Sequence, residues 1–250
     1  MKRIAAFIVA AMAAIPASFA QGLPVMGKCT VMPVDVEEIS GICLTAEGDS
    51  LWAVGDEGLL AKVGFDGGVR KIWDSGMDFE DITLDPSTGD LYIAVEGHQK
   101  VYRLPGGRHG DYRTVFYVDE AVDGNYRNAG LEGIAFIKGE LLVGAQKDAN
   151  VFTCKPDGTP VRKTSLRGLS DIKEVGGFNY DAEKDRLWLT DSETHKLYIL
   201  SSDCSQVLAE YEVPWIENNE SLCVDRARGC VWVASDEDNP KLYRIEFSDL

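Results

Sequence analysis

The amino-acid sequence predicts a single all-β domain, a propeller of five blades with four antiparallel strands each. Three observations carry this prediction. Five segments repeat one pattern from Glu38, Glu80, Glu132, Gly176 and Glu220, with steps of 42, 52, 44 and 44 residues. Their second strands align without gaps as Leu51-Trp52-Ala53-Val54, Leu91-Tyr92-Ile93-Ala94, Leu141-Leu142-Val143-Gly144, Leu187-Trp188-Leu189-Thr190 and Val231-Trp232-Val233-Ala234. No stretch after the first twenty residues keeps a 3.6-residue apolar period, so helices have no place in the core.

In chain order, residues 1–20 stand apart. Lys2 and Arg3 precede an apolar run from Ile4 to Ile15, and Ser18 and Ala20 fit the small positions of a signal-peptidase site. The run is shorter than the roughly 20 residues that a bilayer requires. This segment is expected to be a cleaved signal peptide, with 21–250 forming the propeller in the periplasm or outside the cell. No other segment is apolar enough to span a membrane. Loss of Lys2 and Arg3 takes the formal net charge from −16 to −18. Such a surface repels phosphate backbones and anionic lipid, which argues against nucleic-acid partners. It suits cations, a metal ion or a basic partner, and solubility alone is the plainer explanation.

The strands follow. Gly27–Met32 is expected to close the ring, because the last repeat ends at Leu250 before a fourth strand of its own. Third strands are read at Leu60–Val63, Val101–Leu104, Val151–Cys154, Leu197–Leu200 and Leu242–Ile245. Asp66-Gly67 and Asp157-Gly158 supply hairpin turns, where glycine accepts positive φ. The 230 residues after the signal give 46 for each of five blades. Six blades, the alternative, would leave about 38 each, tight for four strands and their turns. Trp52, Trp188 and Trp232 share one repeat column and are expected to pack between blades, whereas Trp73 and Trp215 fall outside it.

Two acidic columns run through the repeats. Glu38, Glu80, Glu132 and Glu220 introduce first strands, and the fourth repeat has Val175-Gly176-Gly177 instead. Asp56, Glu96, Gln146, Ser192 and Asp236 end the second strands. First strands line the channel of a propeller, so a column becomes a ring of mutually repelling carboxylates unless protons or a cation intervene. Calcium fits, since it takes six to eight oxygen ligands in irregular geometry. The other reading is structural, with each acid bracing the neighbouring blade. No catalytic residue is singled out. His98, His109 and His195 sit in polar loop contexts, His195 as an exposed turn residue, and no Gly-x-Ser-x-Gly elbow places a nucleophile.

Six cysteines follow the signal, none in the CxxC spacing of zinc or redox sites. Cys223 and Cys230 flank one hairpin turn and form a candidate disulfide. Cys154 and Cys204 follow third strands of adjacent repeats, which leaves Cys29 and Cys43.

Several short motifs resemble the SdiA-regulated, YjiK-like family. They are Asp78-Phe79-Glu80-Asp81-Ile82, Asn128-Ala129-Gly130-Leu131-Glu132-Gly133-Ile134-Ala135 and Asn219-Glu220-Ser221-Leu222-Cys223-Val224-Asp225. Leu169–Ile172 before Phe178–Asp181 and Leu187–Asp191 is similar to that family's fourth blade. The resemblance spans Val36 to Phe247 and implies an exported bacterial five-bladed propeller, distantly NHL-repeat-like. It further implies a calcium site and a binding role without established catalysis. Carried to matching positions, the calcium candidates are Glu80, Glu132 and Glu220, with Asp56, Glu96 and Asp236 as additional acids. Gln146, where an acid is expected, and the six cysteines depart from the family pattern.

Three functions compete on the sequence. The first is a calcium-binding propeller that presents its loops to a protein or small-molecule ligand. The second is a calcium-dependent hydrolase of lactones or phosphate esters working in the acidic channel. The third is a metal-free scaffold.

Overall fold

A computed structural model describes residues 22–97, 99–117, 130–146 and 148–250. The expected signal peptide, His98 and the Asn128-Ala129 pair lie outside the described residues.

Five four-stranded antiparallel sheets form the blades. Strand β1 (Val25–Pro33) precedes the first blade, made of β2 (Ile39–Leu44), β3 (Leu51–Gly55), β4 (Leu59–Val63) and β5 (Val69–Asp74). The second blade holds β6 (Phe79–Leu84), β7 (Leu91–Val95), β8 (Lys100–Leu104) and β9 (Arg113–Tyr117). The third holds β10 (Leu131–Ile137), β11 (Glu140–Ala145), β12 (Asn150–Cys154) and β13 (Pro160–Ser165). The fourth is β14 (Phe178–Asp181), β15 (Arg186–Asp191), β16 (Lys196–Ser201) and β17 (Val207–Glu212). The last comprises β18 (Asn219–Asp225), β19 (Cys230–Ser235) and β20 (Lys241–Ser248), and β1 completes it by pairing with β20 from Val25–Ser248 to Pro33–Lys241. The ring is therefore closed by β1, the strand expected from the sequence to do so. Among the described residues, no helix is long and apolar enough to cross a membrane.

The hydrophobic core is divided into five wedges, one at each blade–blade interface. Ile39, Ile42 and Leu51 of the first blade pack with Trp232, Ala234 and Leu242 of the fifth. Equivalent clusters join the first blade to the second, the second to the third, the third to the fourth, and the fourth to the fifth. The tryptophan column lies in these wedges: Trp52, Trp188 and Trp232 are all buried. Trp232 also stacks on Phe65 at 5.3 Å and donates its indole N–H to Asp225 at 3.2 Å. Off the column, Trp73 is half-buried and Trp215 exposed.

Near the axis the inner strands approach closely. A Cβ on Gly41 would lie 2.6 Å from the Asp81 Cα, and one on Gly177 would lie 2.6 Å from the Ser221 Cα, so neither position tolerates a side chain. An inner strand has no sheet partner on its axial side, and its free N–H groups need other acceptors. Side chains of neighbouring blades provide them. The Phe136 N–H donates to Thr83 Oγ1, the Val224 N–H to Asn179 Oδ1 and the Ile42 N–H to Ser221 Oγ, each at 3.1 Å.

Four of the inner strands carry a β-bulge at their channel-mouth end. In β6, Phe79 pairs with Val95 and Ile82 with Ile93, so Glu80 and Asp81 together face Ala94. In β10, Leu131 pairs with Ala145 and Ile134 with Val143, which gives Glu132 and Gly133 the same place. Ser40 is the extra residue in β2 and Glu220 in β18. The pairing of β14 with β15 has no such shift. Bulges re-aim side chains without ending a strand, and here they turn one residue per strand toward the channel mouth.

The bulges correct the first acidic column. Glu38 is not the counterpart of Glu80, Glu132 and Glu220; Ser40 is. Glu38 matches Asp78 instead, because the Asp56 N–H donates to Glu38 O and the Glu96 N–H to Asp78 O, both at 3.1 Å. Gln146 and Asp236 make the same bond to Gly130 and Asn218. The second column thus stands in four blades, while Ser192 donates its hydroxyl to Glu174.

The candidate disulfide between Cys223 and Cys230 is not formed, and all six cysteines are free thiols. Within the hairpin, Cys223 faces Trp232 while Cys230 faces Asp225. The two cysteines are therefore diagonal neighbours, too far offset for the short Cβ separation that a disulfide needs. Burial pushes the thiols of Cys154 and Cys204 up, to about 12 and about 11.

Candidate metal centre at the channel mouth

At the bulged end of the channel lies a cavity of about 350 Å³ lined by Ser40, Asp56, Asp78, Glu80, Glu96, Glu132, Gln146, Glu220 and Asp236. All six acids expected from the sequence as metal ligands meet here. The strands deliver them in two tiers. Glu80, Glu132 and Glu220 come from the bulges of inner strands, whereas Asp56, Glu96 and Asp236 follow the ends of second strands.

Asp78 is the acid that the repeat columns missed. It immediately precedes β6, and its partner in the pattern is Glu38, so its carboxylate was hidden in a column assigned two residues away. Glu38 itself lines an adjoining cleft of about 670 Å³ with Glu37, Glu217, Asp236, Glu237 and Asp238. Asp236 borders both spaces.

Two triplets of carboxylates are tight enough to share an ion. Oxygens of Asp56, Asp78 and Glu80 lie within 4.8 Å of one another, as do those of Glu80, Glu96 and Glu132. Glu80 belongs to both. Glu220 and Asp236 line the cavity outside either triplet. Glu80 and Glu132 are each only 7% exposed. Some lining groups already have protein partners: Asp56 accepts the Ser40 hydroxyl, and Glu96 Oε1 accepts the Gly130 N–H at 2.9 Å.

The electrostatics differ from those of three other buried acids. Asp90, Asp181 and Asp225 are each paired with an arginine, Arg103, Arg226 and Arg228 respectively. No lysine, arginine or histidine is among the described residues lining the mouth cavity. Burial, then the charges of Asp56, Asp78 and Glu96, push the Glu80 carboxyl up to about 10. Burial with the charges of Glu80 and Glu220 holds Glu132 well above the usual range. Asp56 is raised to about 7, chiefly by burial, and so is Glu220, to which Glu174, Asp56 and Asp236 add repulsion. Burial also raises Glu96 and Asp236. Without a cation the cluster relieves its repulsion by holding protons.

The donor set fits a hard divalent cation. It offers carboxylates, the Gln146 amide and the Ser40 hydroxyl, with no imidazole or thiolate, which matches the all-oxygen preference of calcium rather than the nitrogen and sulfur of zinc sites. The described histidines lie elsewhere: His195 is an exposed turn residue, with Nδ1 3.2 Å from Ile216 O, and His109 stacks on Trp73.

The acid beside Glu80 has a different task. Asp81 is 1% exposed, and its Oδ2 accepts the N–H groups of Ile134 at 2.8 Å and Phe178 at 3.2 Å. Its Oδ1 accepts the Ser221 hydroxyl at 2.9 Å. Burial pushes its carboxyl up, to about 8, against the pull of these donors. The bracing expected of the glutamate column is thus performed one residue along.

A family model described as "Phytase-like: Esterase-like activity of phytase" matches residues 34–200. No curated protein sequence gives a significant match. Among solved structures, a glutaminyl cyclase of Myxococcus xanthus is similar at 12% identity and a TM-score of 0.68, over 90% of this chain and 96% of that one. A chain of a nidogen/laminin complex is 14% identical with a TM-score of 0.57, covering 85% of each chain. A luciferin-regenerating enzyme is also 14% identical with a TM-score of 0.57, over 85% of this chain and 79% of that one. At such identities the likeness is one of fold.

Proposed function

The chain belongs to this phytase-like family, and on that premise we propose that its channel mouth is a calcium site at which an ester, of phosphate-ester or lactone type, is held and hydrolysed. The observation that carries the proposal is the convergence of seven carboxylates on one cavity with no basic side chain among its described lining. Bound calcium would supply the positive field that polarises the ester oxygen and steadies the charge developing on it.

The chain's own groups have distinct parts. Glu80, common to both triplets, would hold the ion together with Glu96 and Glu132 on one side and Asp56 and Asp78 on the other. Glu220 and Asp236, which line the cavity outside the triplets, would take a proton from an attacking water. The water's oxygen would bond to the acyl or phosphoryl centre as its proton passes to the carboxylate, the ester C–O or P–O bond would break, and the same carboxylate would return that proton to the leaving alkoxide. The Ser40 hydroxyl is engaged by Asp56 and the Glu38 carbonyl.

A second reading, a calcium-loaded binding module without turnover, draws on the lack of histidine, thiol or lysine in the described lining. The resemblance of the strand motifs to SdiA-regulated, YjiK-like proteins supports it. In either case the leader-like residues 1–20 support a place in the periplasm or beyond.

The test is turnover of a phosphate monoester, a carboxylic ester and a lactone by the mature protein, with calcium and with a chelator. Calcium-dependent turnover of one of them, lost in Glu132→Gln, is expected. Calcium binding without turnover of any would favour the binding module, and absence of both would leave a plain scaffold.

A further inference from the structure

The four bulges that aim Ser40, Glu80, Glu132 and Glu220 at the mouth share one anchor. Immediately beyond the bulge in β10, the Ile134 N–H is held by Asp81. Immediately beyond the bulge in β2, the Ile42 N–H is held by Ser221. Asp81 and Ser221 are themselves the residues following Glu80 and Glu220, and they bond to each other. The blade without a bulge is tied to the same point, through the Phe178 N–H. One carboxylate and one hydroxyl, 1% and 0% exposed, therefore connect all five inner strands at the axis.

We infer that Asp81, acting with Ser221, is a positioning residue that sets the spacing of the mouth carboxylates for their cation. The inference rests on the proposed calcium site. Its chemistry is that of an acceptor: two N–H groups converge on Oδ2, and a shift of this oxygen would release the segments carrying Glu132 and Gly176-Gly177 at once. The equivalent position holds glycine in the first, third and fourth blades, at Gly41, Gly133 and Gly177, and Ser221 in the fifth, so only the second and fifth blades supply a polar side chain there. Positioning partners of metal ligands are worth about 10- to 100-fold in metal affinity without touching the ion.

The experiment is calcium titration of the mature protein and four variants at a temperature well below every melting point. Asp81→Ala removes acceptor and charge, and is expected to lower calcium affinity at least about tenfold. Asp81→Asn keeps an oxygen for Ile134 and Phe178 while removing the charge, and is expected to stay within about threefold of the parent. Thr83→Val breaks another tie between the second and third blades, at Phe136, away from the bulges. It is expected to lower the melting temperature and leave the affinity unchanged. Ser221→Ala carries the test if Asp81→Ala does not fold, with the same direction of change expected. Parent-like affinity in Asp81→Ala or, where that variant does not fold, in Ser221→Ala overturns the inference, and so does an Asp81→Asn loss as large as that of Asp81→Ala. If the parent itself takes up no calcium, the functional proposal falls. Amide exchange at Ile134 and Phe178 then decides the anchor: faster exchange in Asp81→Ala, or in Ser221→Ala, supports it, and unchanged exchange overturns it.

Discussion

Replacing Glu80 by glutamine should stabilise the metal-free protein, the reverse of what loss of a buried, shared side chain ordinarily does. Burial and three neighbouring acids raise the Glu80 carboxyl from an ordinary 4.5 to about 10. Its folded-state value lies above the unfolded one, so its contribution to stability is fully present below about pH 4.5 and drains away as pH rises toward 10. At pH 7 the folded protein must take up a proton that the unfolded chain has released, at a cost of about 3 kcal/mol. Glutamine has the same shape and carries no such obligation. For a chain of this size that corresponds to a rise in melting temperature on the order of 5–10 °C. The gain should shrink to below about 1 kcal/mol at pH 5, where the unfolded glutamate is itself partly protonated. With calcium present the order should invert, because only the parent keeps the ligand shared by both triplets. Thermal melts of parent and Glu80→Gln at pH 5 and 7, metal-free and calcium-loaded, read all four corners. A metal-free Glu80→Gln that melts at or below the parent at pH 7 would refute the electrostatic account of the mouth.

Other outcomes follow from the same geometry. Calcium at 100 times its dissociation constant should stabilise the parent by about 2.7 kcal/mol, read as a rise in melting temperature that Glu132→Gln abolishes. Gln146→Glu restores an acid to the second-strand column; it should tighten calcium binding in a titration and lower the metal-free melting temperature at pH 7. Trp232→Ala, in the wedge beside the closing blade, should cost about 3–5 kcal/mol in denaturant unfolding. Gly41→Ala forces a methyl to 2.6 Å from the Asp81 Cα, and should lower stability and calcium affinity together.

The repeat was legible because strands and turns are local: the aligned Leu-Trp-Ala-Val type runs became β3, β7, β11, β15 and β19. The closing strand followed from the repeat itself, because the last copy has three strands where the others have four. The acidic columns were legible as well, since equivalent positions in a ring must converge, and Glu80, Glu132, Glu220, Asp56, Glu96 and Asp236 do. What escaped was register. A bulge adds one residue to one strand and leaves no mark in composition, so Glu38 was matched with Glu80 when Ser40 is its counterpart, and Asp78, though part of a quoted motif, was not among the candidate ligands. The anchor at Asp81 escaped for a different reason: its partners lie 53, 97 and 140 residues away. The cysteine hairpin misled because flanking a turn does not place two side chains opposite each other.

Equilibrium dialysis of the metal-free protein against calcium, followed by elemental analysis beside Glu80→Gln, tests the central claim most directly. At least one calcium per chain, retained by the parent and lost from Glu80→Gln, is the predicted result. No calcium above the Glu80→Gln level, even at millimolar concentrations, would contradict it.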